Sequence, residues 1–303
     1  MLARHYMLTN ISCRFLFLCR LAALFTLFFS ALVSANQEKS SKPQKIFYPG
    51  HERKEYYIDL LQLALSYPCQ QQYQLLPSKL EMPKKRAFDL MNEHNGIDVM
   101  YGSATNERIA EYRAVPFPIM RGLMGLRVAL VSKEGKHKLK NIHSLSTLAK
   151  LRVGQFSTWS DTEILQANGF NVEAGSDLGG LYQMLARGRI DYFPRSVLEV
   201  QFNQQEHSSL QLEIDPYVLM YYPTAVYFYV AKDNADLAAA IQCGLEHAQK
   251  DGKLTKLFDQ YYSGVLQQLN LENRRVIKLK NPLLPANVPL ERTELWHPLP
   301  SNN

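Results

Sequence analysis

The sequence is poor in the residues from which metal sites, phosphate sites and nucleic-acid surfaces are built. It contains four cysteines among 303 residues, and no histidines and cysteines stand at the spacing of a zinc site. It has no P-loop. Its basic runs are no longer than "PKKR" (Pro83 to Arg86), a pattern typical of a solvated helix face. We therefore expect no metal, no cofactor and no nucleic-acid partner.

Long apolar runs are scarce as well. The run near the N-terminus, Leu21 to Val33, is shorter than the roughly 20 residues that span a bilayer. It follows three arginines with no acidic residue, and small residues end it at Ala35. This pattern favours a cleaved secretory signal peptide over residues 1–35, rather than an uncleaved membrane anchor. The predicted location is the periplasm.

Two cysteines, Cys69 and Cys243, lie outside this predicted signal peptide. In an oxidising compartment two thiols are able to pair. Pairing also needs a geometry that a sequence does not show. A disulfide and two separate thiols therefore both remain open.

What the chain does have is two series of short apolar strands that alternate with amphipathic helices. The first series runs from "KIFY" (Lys45 to Tyr48) to "IDVMYG" (Ile97 to Gly102), with two helices between. The second runs from "LAKLRVGQF" (Leu148 to Phe156) to "LQLEI" (Leu210 to Ile214). Such alternation indicates open α/β sheets with helices on their faces.

Two features of the second series bear on function. A helix is predicted to begin at "SDTEILQANGF", with Ser160 as its N-cap and Glu163 completing a capping box. A buried strand "IDYF" (Ile190 to Phe193) is followed directly by Pro194 and Arg195. Ligands of open α/β sheets bind beyond the carboxyl ends of the strands, so an arginine at that place is a candidate ligand contact.

A long β run follows each series: "LRVALVS" (Leu126 to Ser132) and "TAVYFYVAK" (Thr224 to Lys232). We interpret them as two strands that cross between two lobes, and a cleft on such a hinge is suited to closing over a small ligand. The predicted fold class is α/β, with two open sheets joined by two crossing strands. Lobe 1 is predicted at 36–126 and 232–272, and lobe 2, with the crossing strands, at 127–231.

The last segment, 273–303, is predicted to be a proline-rich strap rather than a domain. Five prolines stand between Asn281 and Pro300. Leu295 and Trp296 are the residues expected to anchor it on the body. The alternative is a disordered C-terminal end.

Four segments stand in this order along the chain: "SATNER", "LAKLRVG", "GGLYQMLARGRID" and "DGKLTKLFDQYY". Together they resemble the type II periplasmic solute-binding proteins, in the branch of the amino-acid binders (bacterial extracellular solute-binding protein family 3). The resemblance covers about Ile46 to Gly264, and it implies the two-lobed fold. A narrower group of secreted stand-alone proteins, of unknown ligand, is similar in "GLMGLR", "DTEILQANG" and "DYFPR".

The resemblance implies several ligand-binding residues. Arg108 falls where these proteins pair an arginine with the ligand's α-carboxylate. The loop before the predicted helix falls where backbone amides bind the same group, as helix N-termini do with anions. Tyr48 stands where the cleft begins, and Ser103 opens the segment that carries Arg108. The loop residues are Ser157, Thr158, Trp159 and Ser160.

The chain departs from the resemblance at the position where those proteins place a carboxylate for the ligand's ammonium. Ser196 stands there, with Arg195 before it. A guanidinium favours a second anionic group, because arginine pairs well with carboxylate or phosphate. Glu199 remains a possible partner for an amine.

Each of these residues also has a plainer interpretation. Arg108 is equally compatible with a surface ion pair to Glu107 or Glu111. Arg195 is compatible with a salt bridge between the lobes. The indole of Trp159 fits a core position as well as a cleft wall.

The sequence thus predicts a monomeric solute-binding protein, not an enzyme, that captures a small carboxylate-bearing ligand for a membrane transporter or a sensor. No nucleophile–base pair or carboxylate dyad is apparent. One alternative is an enzyme on the same fold, lyase- or dehydratase-like, with Asp161, Glu163 or Glu199 as general base. The other is a regulatory protein that has lost its ligand, with the cleft filled by side chains or by the strap.

Overall fold

The computed structural model describes residues 42–69 and 71–300 of the chain, and the predicted signal peptide lies outside them. Nearly all of these residues fall in the compact unit Pro43–Asn303. Among the described residues, no helix is both long enough and apolar enough to cross a membrane.

The first series of strands and helices forms as the hydrophobic pattern predicts. Strand β1 pairs with β2 in parallel, and the helices that follow each strand pack on the sheet with their apolar faces buried. The elements are β1 (Gln44–Tyr48), α1 (Tyr56–Leu65), β2 (Tyr73–Pro77), α2 (Lys84–Asn92), β3 (Met100–Ser103), α3 (Asn106–Glu111) and β4 (Arg113–Val115).

The second series follows a 3₁₀ turn at Leu123–Gly125. It contains β5 (Leu126–Val131), α4 (Leu145–Leu148), β6 (Arg152–Phe156), α5 (Ser160–Ala167), β7 (Asn171–Gly175), α6 (Leu178–Ala186), β8 (Phe193–Ser196), α7 (Val200–Glu206), β9 (Glu213–Ile214) and β10 (Val218–Tyr221). The chain then continues through β11 (Val226–Val230), α8 (Ala235–Lys250), α9 (Lys253–Gln268) and β12 (Arg275–Lys278).

The strand pairing divides the molecule into two lobes. Lobe 1 contains the β1–β2 pair and a three-stranded antiparallel sheet in the order β3-β11-β4. Lobe 2 contains a five-stranded sheet in the order β12-β10-β5-β8, with β9 also on β5, and the parallel pair β6–β7. A single bridge from Val153 to Tyr192 connects β6 to the chain just before β8.

Each of the two long strands belongs to one sheet, and the chain crosses between lobes just before it. Strand β11, which the sequence assigns to lobe 2, lies between β3 and β4 of lobe 1, because all five of its residues are buried there. The crossings before these two strands are residues 116–125 and 222–225, and the chain passes to lobe 2 once more between α9 and β12. They touch at Gly125, whose carbonyl accepts a hydrogen bond from the Tyr222 amide at 3.1 Å. A Cβ at Gly125 would lie 1.9 Å from the Tyr222 carbonyl oxygen, so this close approach requires glycine.

Lobe 1 is held together by the contact of α1 with α8. A Cβ at Gly244 would lie 1.9 Å from the carbonyl oxygen of Ala64, so glycine lets the two helices touch. Beside this contact Cys69 and Cys243 form a disulfide bond, which decides the question that the sequence left open. Apolar residues of both lobes belong to one hydrophobic cluster, which includes Leu60 of α1 and Leu181 of α6.

The C-terminal segment is part of the fold. Strand β12, which the sequence places in the strap, pairs in parallel with β10. The Asn168 side chain then donates to the Lys280 carbonyl at 2.7 Å and accepts from its amide at 2.9 Å. Further on, Arg292 donates two hydrogen bonds to Glu246 of α8, at 2.6 and 2.8 Å. The segment from Lys280 to Arg292 therefore returns the chain from lobe 2 to lobe 1.

The two residues expected to anchor this segment lie against the body. Leu295 is 1% exposed. Trp296 is partly buried and packs over Gly122, which has φ = 77°, while its indole N–H donates to the Pro289 carbonyl at 2.9 Å.

Two local predictions in lobe 2 are wrong. The capping box at Ser160 does not form: Trp159 is the N-cap, without a side-chain hydrogen bond, and Ser160 is the first helical residue. The strand predicted at Ile190–Phe193 lies instead at Phe193–Ser196, where it pairs with β5. Antiparallel pairing with a long, buried partner therefore carries Arg195 into the sheet.

Candidate functional site

A cleft of about 560 Å³ lies where the two lobes meet. The start of α3 forms its wall on lobe 1, and the loop before α5 with the first turns of α5 forms its wall on lobe 2. The returning C-terminal segment contributes Pro282 and Leu283. The other lining residues are Thr105, Asn106, Glu107, Ser157, Thr158, Trp159, Ser160, Thr162, Glu163 and Gln166.

The loop before α5 presents a helix N-terminus to this cleft. Its shape is set by two hydrogen bonds to the Phe156 carbonyl, from the Trp159 amide at 3.0 Å and the Thr162 hydroxyl at 2.8 Å. Because no side chain caps the helix, the amides of Ser160 and Asp161 lack an acceptor of that kind. Open N–H groups at a helix N-terminus favour an anion. Four predicted site residues (Ser157 to Ser160) thus line the cleft.

A buried ion pair fixes this helix end from behind. Arg127 of β5 approaches the Asp161 carboxylate at 2.6 Å, and its Nε donates to the Tyr222 hydroxyl at 2.8 Å. The Tyr222 hydroxyl donates in turn to Asp161. Burial alone would lower the pKa of Arg127, but the Asp161 carboxylate and the Tyr222 oxygen outweigh it and raise that pKa. The Asp161 carboxylate therefore has a structural role, as the partner of Arg127 and Tyr222.

Arg195 lies beside the same loop, in β8, and is only 5% exposed. Its Nε donates to Asn203 at 2.7 Å and its Nη2 to Glu199 at 3.0 Å. The guanidinium lies 4.6 Å from the centre of the Trp159 ring and 5.2 Å from that of Phe193. The buried Nη1 has no hydrogen-bond partner among the described residues. Arg195 thus forms its ion pair with Glu199 of the same lobe and not between the lobes, and its Nη1 group remains without an acceptor.

The Arg108 side chain packs against residues of its own lobe, lobe 1. Its Nη1 donates to the Ser103 carbonyl, and its guanidinium lies 5.0 Å from the ring centre of Phe88 and 5.9 Å from that of Tyr229. Within the part of the chain that the structure describes, Arg108 forms no ion pair with Glu107 or Glu111, so that plainer interpretation is not supported.

The other predicted site residues have structural contacts. Ser196 is fully buried, and its hydroxyl accepts from the Leu198 amide at 3.3 Å, so it is not at the cleft surface. Ser103 is exposed, and its carbonyl also accepts from the Tyr229 hydroxyl at 3.2 Å. Tyr48 is 7% exposed and lines a small cavity of about 30 Å³ that is formed by residues of lobe 1.

Sequence reasoning missed a polar and aromatic cluster on lobe 1. Tyr57 and Tyr101 stack with ring centres 3.6 Å apart, and the Tyr101 hydroxyl donates to Glu55 at 2.8 Å. Lys84 Nζ lies 4.4 Å from the centre of the Tyr101 ring. The available signal was topological: α2 follows β2, so Lys84 at its start lies at the carboxyl edge of the strands, where ligands bind.

One group of metal-ligating side chains is found among the described residues: Cys69, Cys243 and His247 have ligand atoms within 4.8 Å of one another. The two sulfurs are bonded to each other, and a metal binds thiolates rather than disulfide sulfurs.

No family model matches the sequence, and no curated protein matches it. Solved structures do resemble this fold. The probable amino-acid ABC transporter extracellular-binding protein YtmK from Bacillus subtilis is 18% identical, with a TM-score of 0.53, over 73% of this chain and 98% of that one. YckB from Bacillus subtilis is 17% identical, with a TM-score of 0.50, over 73% and 90%. The fold is that of the two-lobed periplasmic binding proteins.

Proposed function

We propose that this chain is a secreted solute-binding protein that closes its two lobes over a small anionic or zwitterionic, amino-acid-like metabolite. It acts as a monomer in the periplasm and serves a membrane transporter or a sensor. The fold supports a binding role, and the name of YtmK describes an amino-acid transporter's binding protein. The signal-peptide pattern of residues 1–35 supports secretion.

The observation that carries the proposal is the unpaired donor of Arg195. A buried polar group without a partner costs about 1–3 kcal/mol, and a ligand oxygen at Nη1 would remove that cost. Trp159 lies on this guanidinium and also lines the cleft. Arg195 itself is buried behind Trp159 and is not among the residues that line the cleft. In the proposed complex, one anionic group of the ligand contacts both Arg195 and the open N-terminus of α5.

The mechanism is binding rather than chemistry. Closure removes water from the ligand and strengthens its charge-assisted hydrogen bonds. Two of the three carboxylates considered as general bases are already engaged, Asp161 by Arg127 and Glu199 by Arg195. Glu163 is exposed on the cleft wall, which leaves it as the residue to test for an enzymatic function.

The first experiment is native mass spectrometry of freshly purified protein, to identify a small molecule that co-purifies. Titration calorimetry with amino acids and organic acids then gives affinities for the wild type and for Arg195→Ala. We expect this variant to weaken binding of an acidic ligand by at least about 2 kcal/mol, about 30-fold, the scale for one partner of a buried charge pair.

Arg187→Ala is the matched control, because Arg187 is an exposed arginine on the same lobe. It is expected to bind as the wild type does. Equal affinity of Arg195→Ala and wild type would contradict the anion site, and turnover of a bound acid by the wild type would favour the enzyme instead. A protein that binds none of these compounds would point to the ligand-less regulator.

A further inference from the structure

We propose that the returning C-terminal segment supplies the apolar wall of the ligand site, through Pro282 and Leu283, and that this wall selects a ligand with an apolar side group. The ligand is then a zwitterionic amino acid with one carboxylate, which binds at α5, and an aliphatic side chain, which packs on Leu283. This inference rests on the proposed function and specifies its ligand class.

The first support is the chemistry of the cleft wall. Of the twelve described residues that line the cleft, nine have polar side chains, and the other three are Trp159, Pro282 and Leu283. Small-molecule sites combine a few polar groups, which fix orientation, with apolar surface that the ligand covers. Two of the three apolar residues come from the returning C-terminal segment, so this segment provides most of the surface against which an apolar side group could pack.

The second support is that hydrogen bonds hold this part of the segment in place. The Asn281 side-chain amide donates to the Pro223 carbonyl at 2.8 Å, and the Asn281 side-chain oxygen accepts from the Leu283 amide at 3.0 Å. Pro223 belongs to the crossing 222–225, so the wall is attached to the hinge. A wall that is ordered before the ligand arrives adds no ordering cost to binding.

The segment passes from one lobe to the other beside the cleft. Leu283 packs against a hydrophobic cluster that includes Phe170 of lobe 2 and Tyr222, while Leu284 packs against a cluster of lobe 1 that includes Phe88. The segment lines the cleft without filling it, because about 560 Å³ remain open. Sites for small molecules have volumes of about 300–1,000 Å³, so a metabolite has room to lie against this wall.

The charges in the cleft restrict the rest of the ligand. Glu107 on lobe 1 and Glu163 on lobe 2 both line it and are both exposed. Neither forms an ion pair within the part of the chain that the structure describes. Their carboxylates would repel a second anionic group and attract an ammonium, since like charges brought together weaken binding and opposite charges favour it. The cleft therefore matches a ligand with one carboxylate, one ammonium and an uncharged side group.

The test measures affinities for amino acids that differ only in the side group: glycine, alanine and leucine, with glutamate as the acidic comparison. Calorimetry is run on the wild type, on Leu283→Ala and on the control Leu290→Ala. The control removes the same atoms from the same segment, but Leu290 is 45% exposed and does not line the cleft.

We expect the wild type to bind leucine at least tenfold more tightly than glycine, the scale for burying an aliphatic side chain. Leu283→Ala should weaken leucine at least fivefold and change glycine by less than about twofold. Leu290→Ala should match the wild type for all four compounds. Melting temperatures of the variants show whether each one is folded.

A second variant, Leu283→Arg, tests the wall by a gain of binding and does not depend on the folding of Leu283→Ala. A guanidinium at this position should strengthen glutamate binding at least tenfold and weaken leucine, because arginine pairs well with a carboxylate. An unchanged affinity for glutamate would contradict the position of Leu283 in the ligand site.

The possible failures can be told apart. Leucine affinity that is the same in the wild type and in folded Leu283→Ala refutes the apolar wall, while the proposed function stands as long as the wild type binds an amino acid. A wild type that prefers glutamate to leucine, or binds only organic acids, overturns the aliphatic ligand class alone. A wild type that binds no amino acid and no organic acid overturns both proposals.

Discussion

The disulfide between Cys69 and Cys243 should make a large contribution to the stability of the fold. The two cysteines are 174 residues apart. In the chain-entropy model, a loop of this length removes about 17 cal/mol/K from the unfolded state, or about 5 kcal/mol at 25 °C. Measured effects of disulfides are usually smaller, because unfolded chains retain some structure. We therefore expect reduction to lower the free energy of unfolding by about 2–5 kcal/mol.

Urea unfolding, followed by circular dichroism, measures this difference between oxidised protein, protein reduced by dithiothreitol, and Cys69→Ala/Cys243→Ala. The variant separates the bond from the packing of the sulfur atoms, since Cys69 is only 6% exposed. The free energies of unfolding of reduced wild type and of the variant should agree within about 1 kcal/mol, which is the cost expected for deleting a small buried group. A loss below about 1 kcal/mol on reduction would refute the reasoning.

Two further predictions concern buried charges in lobe 2. Asp161→Asn leaves Arg127 buried without its carboxylate and should lower the free energy of unfolding by about 3–5 kcal/mol. The control Glu163→Gln, at an exposed position of the same helix, should lower it by under about 0.5 kcal/mol. Equal urea midpoints for Asp161→Asn and wild type would contradict the structural role of the pair. Burial alone would raise the pKa of Asp191, but hydrogen bonds from Arg152 and Lys138 outweigh it and lower that pKa to about 2. Since the folded-state pKa is below the unfolded one, this carboxylate stabilises the fold above about pH 4, and the contribution of about 2 kcal/mol is lost as the pH falls toward 2. Between about pH 4 and pH 2, the free energy of unfolding should fall less steeply for Asp191→Asn than for the wild type. The same pH dependence in both proteins would contradict the stabilising role of the Asp191 carboxylate.

Local patterns in the sequence were sufficient to predict most strands and helices of both lobes. They were insufficient where pairing between distant segments decides the structure. The short β12 is recognisable only through β10, more than 50 residues earlier, and β11 reads as a crossing strand until its neighbours β3 and β4 are known. Arg195 illustrates the same limit, because its place in β8 depends on pairing with β5.

The candidate site shows a similar division. The loop from Ser157 to Ser160 was predicted from the family resemblance, and it lines the cleft. Ser196 was predicted to contact the ligand, and the structure buries it completely, because all four residues of β8 are buried and the sequence does not show this. Lys84 was predicted to lie on a solvated helix face, and it is exposed. Its position 4.4 Å from the centre of the Tyr101 ring depends on the packing of two elements, which the sequence does not show.

The returning C-terminal segment has a mechanical consequence. Its two attachments, Lys280 at Asn168 and Arg292 at Glu246, are twelve residues apart along the chain. A fully extended chain of that length reaches about 40 Å, and each proline within it reduces the available slack. While both attachments hold, the separation of Asn168 in lobe 2 from Glu246 in lobe 1 therefore has an upper limit of about 40 Å, whatever the hinge residues allow.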